Sequence, residues 1–212
     1  MTDTVRERVL LEALTKIPVT GFSDATLSEA AARAGISKRE VQDAFPQGPA
    51  SLVEAFSHWA DARMTEALGK QDPEQRMRDR IASAVRTRIE VLIPHKEAAR
   101  RAAAFLAQPQ NTVLAINLSL RTVDAMWRAA GDRSSNFSYY TKRASLAGVY
   151  AATLAYWFSD SSEGNQATWT FLGHRIDNVM QLEKLKGAAQ DALSKIPDPL
   201  KFFDTLRGGR PR

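Results

Sequence analysis

A chain of 212 residues with 44% hydrophobic content can bury a core of its own, which separates it from disordered chains. It contains no cysteine, so disulfide and thiolate chemistry are excluded, and it has no 20-residue apolar run of the kind that spans a bilayer. A net charge of +5 and a pI near 9.6 suit an anionic partner, nucleic acid or lipid, although many ordinary soluble proteins carry as much.

The pattern is helical throughout, without β-branched alternation between hairpin turns. Three capping boxes, Thr4-x-x-Glu7, Thr26-x-x-Glu29 and Ser37-x-x-Glu40, predict the first three helix starts. Val5, Val9, Ala13 and Leu14 share one face of the first helix, and the stretch from Pro18 to Gly21 breaks it. A second helix is expected over 27–34, stopped by Gly35. The third covers 38–45 and ends at Pro46-Gln47-Gly48-Pro49. A fourth covers 49–68, with Leu52, Phe56, Trp59 and Met64 inward.

After a break at 69–73, Asp72-Pro73 is expected to start a long helix. Met77, Ile81, Val85, Ile89 and Leu92 recur there at helical spacing, and Pro94 kinks or ends the helix. Another helix runs to about 107 and is closed by Gln108-Pro109. A hairpin of long helices follows, 112–130 and 139–158, joined by the polar loop 131–138. The stretch from Ala144 to Phe158 fits a buried helix, and it is too short to cross a bilayer. Its small residues Ala144, Ala147, Gly148, Ala151, Ala152 and Ala155 permit either close helix packing, a dimer seam included, or a groove for a long apolar guest. Trp127, Tyr150, Trp157, Phe158 and Trp169 are candidate walls of such a groove, although large aromatics in helices are most often plain core. In the last core helix Trp169, Leu172, Ile176 and Val179 mark the buried stripe. A polar stretch from about 187 to 195 leads to the tail.

That tail, Ile196 to Gly209, reads as a short helix with its ends written in. Asp198 caps it, Pro199 suits the first helical position and Gly208 supplies a left-handed stop. Leu200, Phe202, Phe203 and Leu206 fall on one face, fringed by Lys201, Arg207, Arg210 and Arg212. Two destinations fit: the headgroup layer of an anionic membrane, or a groove on the protein's own body or on a partner.

Two helices joined by a tight glycine turn over 27–45 form a helix-turn-helix pattern, and its layout, with Ala34-Gly35-Ile36-Ser37 and then Phe45, resembles the TetR repressor family. The third helix offers Lys38, Arg39, Glu40, Val41, Gln42, Asp43 and Ala44, so two cations are cancelled by two carboxylates. Gln42 and Ala44 stand where such repressors carry backbone-gripping residues, and Asp43 would repel phosphate. The scaffold is kept and the reading surface is lost, so no nucleic-acid partner is expected. Catalysis is not expected either. His58, His95 and His174 are scattered without metal-ligand spacing, and there is no glycine-rich phosphate loop and no nucleophile elbow. No cofactor is expected.

Five segments are more specific. They are Arg88-Ile89-x-x-Leu92-Ile93-Pro94, the run Val123 to Asp132, Phe137-Ser138-Tyr139-Tyr140-Thr141-Lys142-Arg143-Ala144, Asp160-Ser161-Ser162, and Thr168-Trp169-x-Phe171-Leu172-x-x-Arg175-Ile176-x-x-Val179-Met180. Together they resemble the accessory proteins of ubiquinone (coenzyme Q) biosynthesis, the ninth protein of the Coq set. The resemblance implies an all-α, TetR-like dimer that binds isoprenoid quinone precursors or other lipids in its C-terminal bundle. It further implies docking on the hydroxylase that modifies the quinone ring, and a C-terminal amphipathic helix that reaches the membrane. Asp124, Met126 and Arg143 match the family's docking patch; Tyr139-Tyr140 stand where Trp-Tyr is usual, and Asn136 where an acid is common.

The combined expectation is an all-α chain in three parts. Residues 1–70 form a degenerate helix-turn-helix region, 71–187 a lipid-binding and dimerisation bundle, and 188–212 a linker and membrane-binding helix. Its expected role is non-catalytic: it presents a polyprenyl quinone intermediate, or carries a phospholipid, at a membrane surface beside a quinone-ring hydroxylase. The start of the chain lacks a signal-peptide pattern, so the expected place is the bacterial cytoplasm, at the inner face of the inner membrane. The rival readings are a TetR-type ligand-responsive regulator and a structural dimer module without a ligand.

Overall fold

Of the three expected capping boxes, the structure forms the one at Ser37. The structure is a computed structural model that describes residues 2–69, 75–132 and 137–179, with side chains from 4 onward and, in the third stretch, from 139 onward. Helix α1 runs Thr2–Leu14 and buries Val9, Leu10, Ala13 and Leu14. Thr4 lies inside α1 and does not cap it. The short helix α2, Ile17–Thr20, carries Pro18 in its first turn and ends at Gly21. Helix α3 is Asp24–Arg33, and its cap is Ser23, whose hydroxyl accepts from the Thr26 amide at 3.1 Å.

The Thr26 box is therefore a misreading of the sequence. Thr26 is buried, and its hydroxyl donates to the Gly21 carbonyl at 2.9 Å and meets the Thr20 and Ser23 hydroxyls at 2.7 and 2.9 Å. Glu29 is drawn away to Lys16, 2.8 Å distant. At α4, Lys38–Ala44, the box is complete: Ser37 accepts from the Glu40 amide and the Glu40 carboxylate accepts from the Ser37 amide at 2.9 Å. Between α4 and α5, Gly48 has φ +55°, a left-handed conformation that favours glycine; a Cβ there would also stand 2.9 Å from Asp24 Oδ1, a contact that the Asp24 side chain can relieve by shifting.

Helix α5, Pro49–Leu68, has the expected bounds, with proline in its first turn and Gly69 at its end. Helix α6, Met77–Leu92, starts later than the Asp72-Pro73 signal implied; Arg76 precedes it in extended conformation, and Asp72 and Pro73 lie outside the described residues. Pro94 sits in the tight turn Ile93–His95, which passes the chain directly into α7, Lys96–Leu106. The long hairpin consists of α8, Thr112–Ala129, and α9, Phe137–Ser159. Helix α10 covers 166–179. Asp160 closes the loop before α10: its carboxylate accepts from the Ser162 and Thr168 amides at 2.8 and 2.9 Å and from the Thr168 hydroxyl at 2.5 Å.

All regular structure among the described residues is helical. The chain divides into two compact units, residues 1–172 and 173–212, and of the second only 173–179 are described. Within the first unit α5 is the central beam. It packs on α1 and α3 on one side and on α6 and α8 on the other, so the front helices and the bundle share it. The core contacts of α5 are Leu52, Val53, Phe56, Ala60 and Met64. Trp59, expected inward with them, is half-buried; it stacks on Phe56 at 6.1 Å and stands edge-on to His95 at 5.4 Å. No helix among the described residues is long and apolar enough to cross a membrane. The tail residues Leu200, Lys201, Phe202, Phe203, Leu206 and Arg207 lie outside the described residues, as does Asn136.

Candidate functional site

A cavity of about 150 Å³ lies among α5, α6, α7, α8 and α9. It exists because the facing side chains are short. Ala99, Ala102 and Ala103 of α7 look across at Ala147 and Ala151 of α9. Val53, Phe56, Leu92, Leu106, Leu118 and Leu154 complete an apolar wall. The remainder is polar: Ser57, Arg88, Ser119, Thr122 and Tyr150 also line the space.

The polar end is organised around a buried ion pair. Arg88 and Asp61 are 4% and 5% exposed, and Arg88 Nε donates to Asp61 Oδ1 at 2.9 Å. Thr122, also buried, donates to both carboxylate oxygens at 3.0 and 3.2 Å. Arg88 Nη2 donates to the Ser57 carbonyl at 3.3 Å. The remaining guanidinium nitrogen, Nη1, is buried without a hydrogen-bond partner among the described residues. Burial pushes the Tyr150 hydroxyl pKa up, with nearby Asp61 acting in the same sense and Arg88 against it, so this group stays a neutral phenol.

Of the five expected wall aromatics, Tyr150 lines this cavity. The others are placed elsewhere. Trp157 is fully buried in the core, with Lys96 Nζ 5.1 Å from its ring centre. Phe158 packs on Trp157 at 5.4 Å and lies under Arg100. Trp127 donates its indole N–H to the Lys142 carbonyl at 3.3 Å, and Trp169 donates to the Gly164 carbonyl at 2.8 Å beneath Arg86. The small residues of α9 are divided in the same way. Ala147 and Ala151 face the cavity, whereas Ala144, Gly148 and Ala155 are exposed.

The expected docking residues form a second cluster at the loop end of the α8–α9 hairpin. Arg143 is buried and grips Asp124 through Nε and Nη2 at 2.7 and 2.6 Å. Tyr139 adds a hydroxyl bond to the same Asp124 oxygen at 3.1 Å, and its ring lies 3.4 Å from the Arg143 guanidinium carbon. Asp132 joins from the loop, 2.9 Å from Lys142 Nζ and 3.6 Å from Arg143 Nη1. Tyr140 stands edge-on to Tyr139 at 5.1 Å and is 70% exposed. Met126, the remaining member of the expected set on α8, is fully buried in the core.

On helix α4, Lys38, Arg39, Gln42 and Asp43 are exposed. Glu40 is committed to its cap, where the Ser37 hydroxyl and amide hold its carboxyl below the usual range.

Residues 112–183 match the COQ9 family model. Over 189 residues the chain is 34% identical to the ubiquinone biosynthesis protein COQ9, mitochondrial, of Drosophila melanogaster, covering 86% of this chain and 57% of that protein. The Rattus norvegicus and Homo sapiens proteins of the same name are 33% and 32% identical, each over 84% of this chain and 59% and 58% of their own lengths. The chain belongs to the COQ9 family. It spans just under three-fifths of the length of these curated relatives. Among solved structures, a TetR transcriptional regulator from Nitrosomonas europaea superposes with a TM-score of 0.65 at 20% identity, covering 82% of this chain and 97% of that one. That likeness establishes the TetR-like fold of this COQ9-family chain.

The family match includes α8 and α9, which carry Thr122 and Tyr150, but it begins after Arg88 and Asp61. Neither member of the ion pair was expected as a site residue. The signal for it was present: Arg88 lies on the stripe defined by Ile81, Val85 and Leu92, where an arginine interrupts an apolar face.

Proposed function

We propose that this COQ9-family chain is a non-catalytic lipid-binding protein of ubiquinone biosynthesis that presents a polyprenyl quinone intermediate to a ring hydroxylase. The observation that carries the reading is the alanine-walled cavity with its ordered polar end. Ligand pockets for whole molecules run to several hundred Å³, and about 150 Å³ takes a single six-membered ring. The cavity thus accepts one end of such a lipid, and the remaining isoprene units lie outside it. That geometry suits a carrier that lifts its cargo only partly from a bilayer.

Three further elements belong to the same proposal. The basic, phenylalanine-bearing tail helix, 198–207, rests on an anionic membrane face, which places the protein at the inner surface of the bacterial inner membrane. Tyr140 and the Asp124–Arg143 network behind it receive the hydroxylase, an exposed aromatic on a rigid ionic base being a fitting anchor. The chain pairs as a homodimer through apolar surface left open on α8, at Val113, Ile116 and Leu120, and on α9, at Ala144, Gly148 and Ala155.

The alternative, a ligand-responsive repressor, has the right fold and the wrong surface. Asp43 stands exposed on α4 beside Gln42, where phosphate contacts would be made. Native mass spectrometry of the purified chain tests the proposal: isoprenoid or phospholipid should co-purify. Recovery of neither, together with a gel shift on genomic fragments, would replace the carrier with a regulator.

A further inference from the structure

We infer that Arg88 Nη1 receives a neutral ring oxygen, so that the guest enters the cavity ring-first and Arg88 sets its specificity. The inference rests on the carrier reading only for the identity of the guest's tail. Its own basis is local.

A guanidinium nitrogen that is buried and unpaired carries a desolvation cost, and a guest acceptor removes it. The other contacts of Arg88 are already spoken for: Nε by Asp61 and Nη2 by the Ser57 carbonyl. They fix the guanidinium plane, so the direction of the free N–H is set before any guest arrives. Four hydroxyl-bearing side chains, Ser57, Ser119, Thr122 and Tyr150, share the cavity lining, while the rest of the wall apart from Arg88 is apolar and mostly alanine and leucine. An oxygen-bearing ring in an apolar setting satisfies both halves.

Charge decides which oxygen. Asp61 neutralises Arg88 within the buried pair, and Thr122 satisfies both oxygens of that carboxylate. A carboxylate guest would leave a net negative charge with no counter-ion in a desolvated space. A carbonyl or phenol oxygen adds no charge. The site therefore selects a quinone or phenol ring over an aromatic acid. The cavity volume of about 150 Å³ limits the enclosed part to one ring and leaves the isoprenoid chain to trail outward.

Isothermal titration calorimetry on the full chain tests this with three probes: tail-less dimethoxy-methyl-benzoquinone, dimethoxybenzoate, and the oxygen-free terpene farnesene. The quinone should bind at least about ten-fold more tightly than the benzoate. In R88K an ammonium still faces Asp61 but the fixed guanidinium fork is gone, and the quinone-to-farnesene affinity ratio should fall about ten-fold. Circular dichroism melting reports whether R88K folds. Where it does not, the paired replacement R88M/D61L, which removes both charges together, should abolish the ratio. An unchanged ratio in a folded variant, or tighter binding of the benzoate, overturns the inference. Binding of farnesene without the quinone also overturns it and leaves lipid carriage standing. Ring binding that depends on Arg88, with no lipid co-purifying, upholds it and removes lipid carriage.

Discussion

Arg88 Nε and Asp61 Oδ1 lie 2.9 Å apart, joining α6 to α5 inside the bundle, and Thr122 of α8 holds the same carboxylate. One buried charge pair thus registers three helices around the cavity. Removing one partner leaves the other charged and desolvated. Arg88→Leu or Asp61→Leu should each cost about 3–5 kcal/mol, whereas the paired apolar replacement should cost far less. Urea denaturation of the three variants checks this. Equal losses for the single and paired variants would show that the pair does not act as a unit.

A second ionic cluster gives a separable pair of outcomes. Tyr139→Phe removes a hydroxyl bond to a charged acceptor, Asp124, and should cost about 1.5 kcal/mol, since the residue is half-buried. Tyr140→Ser touches an exposed ring and should change stability by no more than about 0.5 kcal/mol while sharply reducing capture of the hydroxylase in a pull-down. Retained capture by folded Tyr140→Ser would move the docking surface elsewhere.

Legibility in the sequence followed the strength of local competition. Helix α5 came out with its bounds because Pro49 and Gly69 have no rivals as start and stop signals. The Thr26 box failed because Ser23, three residues upstream, offers the same hydroxyl chemistry and takes the cap. The start of α6 failed because Arg76 gives no side-chain cap to read. At the cavity the difference was of another kind. Large rings were expected to wall it, yet its space is made by alanines of α7 and α9, with Tyr150 beside them. A small residue on a helix reads the same whether a neighbouring helix closes on it or a void opens before it. Only packing separates Ala147 from Ala144.

Helix capping supplies a direct test of that competition. Ser23→Ala should cost about 0.5–2 kcal/mol as loss of a true cap. Thr26→Val should cost about 1–3 kcal/mol for a different reason, because the Gly21 carbonyl and the neighbouring hydroxyls lose their buried partner. Thr4→Ala should stay within about 0.5 kcal/mol, as Thr4 caps nothing. Chemical denaturation midpoints should fall in that order of grouping, with Thr4→Ala indistinguishable from the parent.

Stability should also fall as pH drops through the histidine range. His58 is held below its ordinary value chiefly by burial, then by Arg121, and His95 by burial. In both, the folded state disfavours the proton that the unfolded chain accepts near pH 6.5, at about the ordinary histidine value. The contribution is present above that value and is lost as pH falls through and below it. His58→Gln/His95→Gln should therefore show a flatter melting temperature between about pH 7.5 and pH 5 than the parent. Parallel curves for the two proteins would assign the acid sensitivity to other groups.

The tail is the part of the proposal that a membrane experiment can isolate. Helical spacing of 198–207 would put Leu200, Phe202, Phe203 and Leu206 on one face, and full burial would contribute roughly 1.5–3 kcal/mol each. Insertion only to the headgroup layer keeps a fraction of this, and ordering the segment costs about 1–2 kcal/mol per residue. Lys201 and Arg207, with Arg210 and Arg212, add about 1 kcal/mol each on an anionic leaflet. The balance is modest, so attachment should be reversible and weakened by salt. Replacing Phe202 and Phe203 together with Ser should strip the chain from floating anionic liposomes while leaving its melting temperature unchanged. High salt should release the parent protein from the same vesicles. Flotation that survives both the substitutions and the salt would take the tail out of the mechanism and leave membrane contact to the folded body.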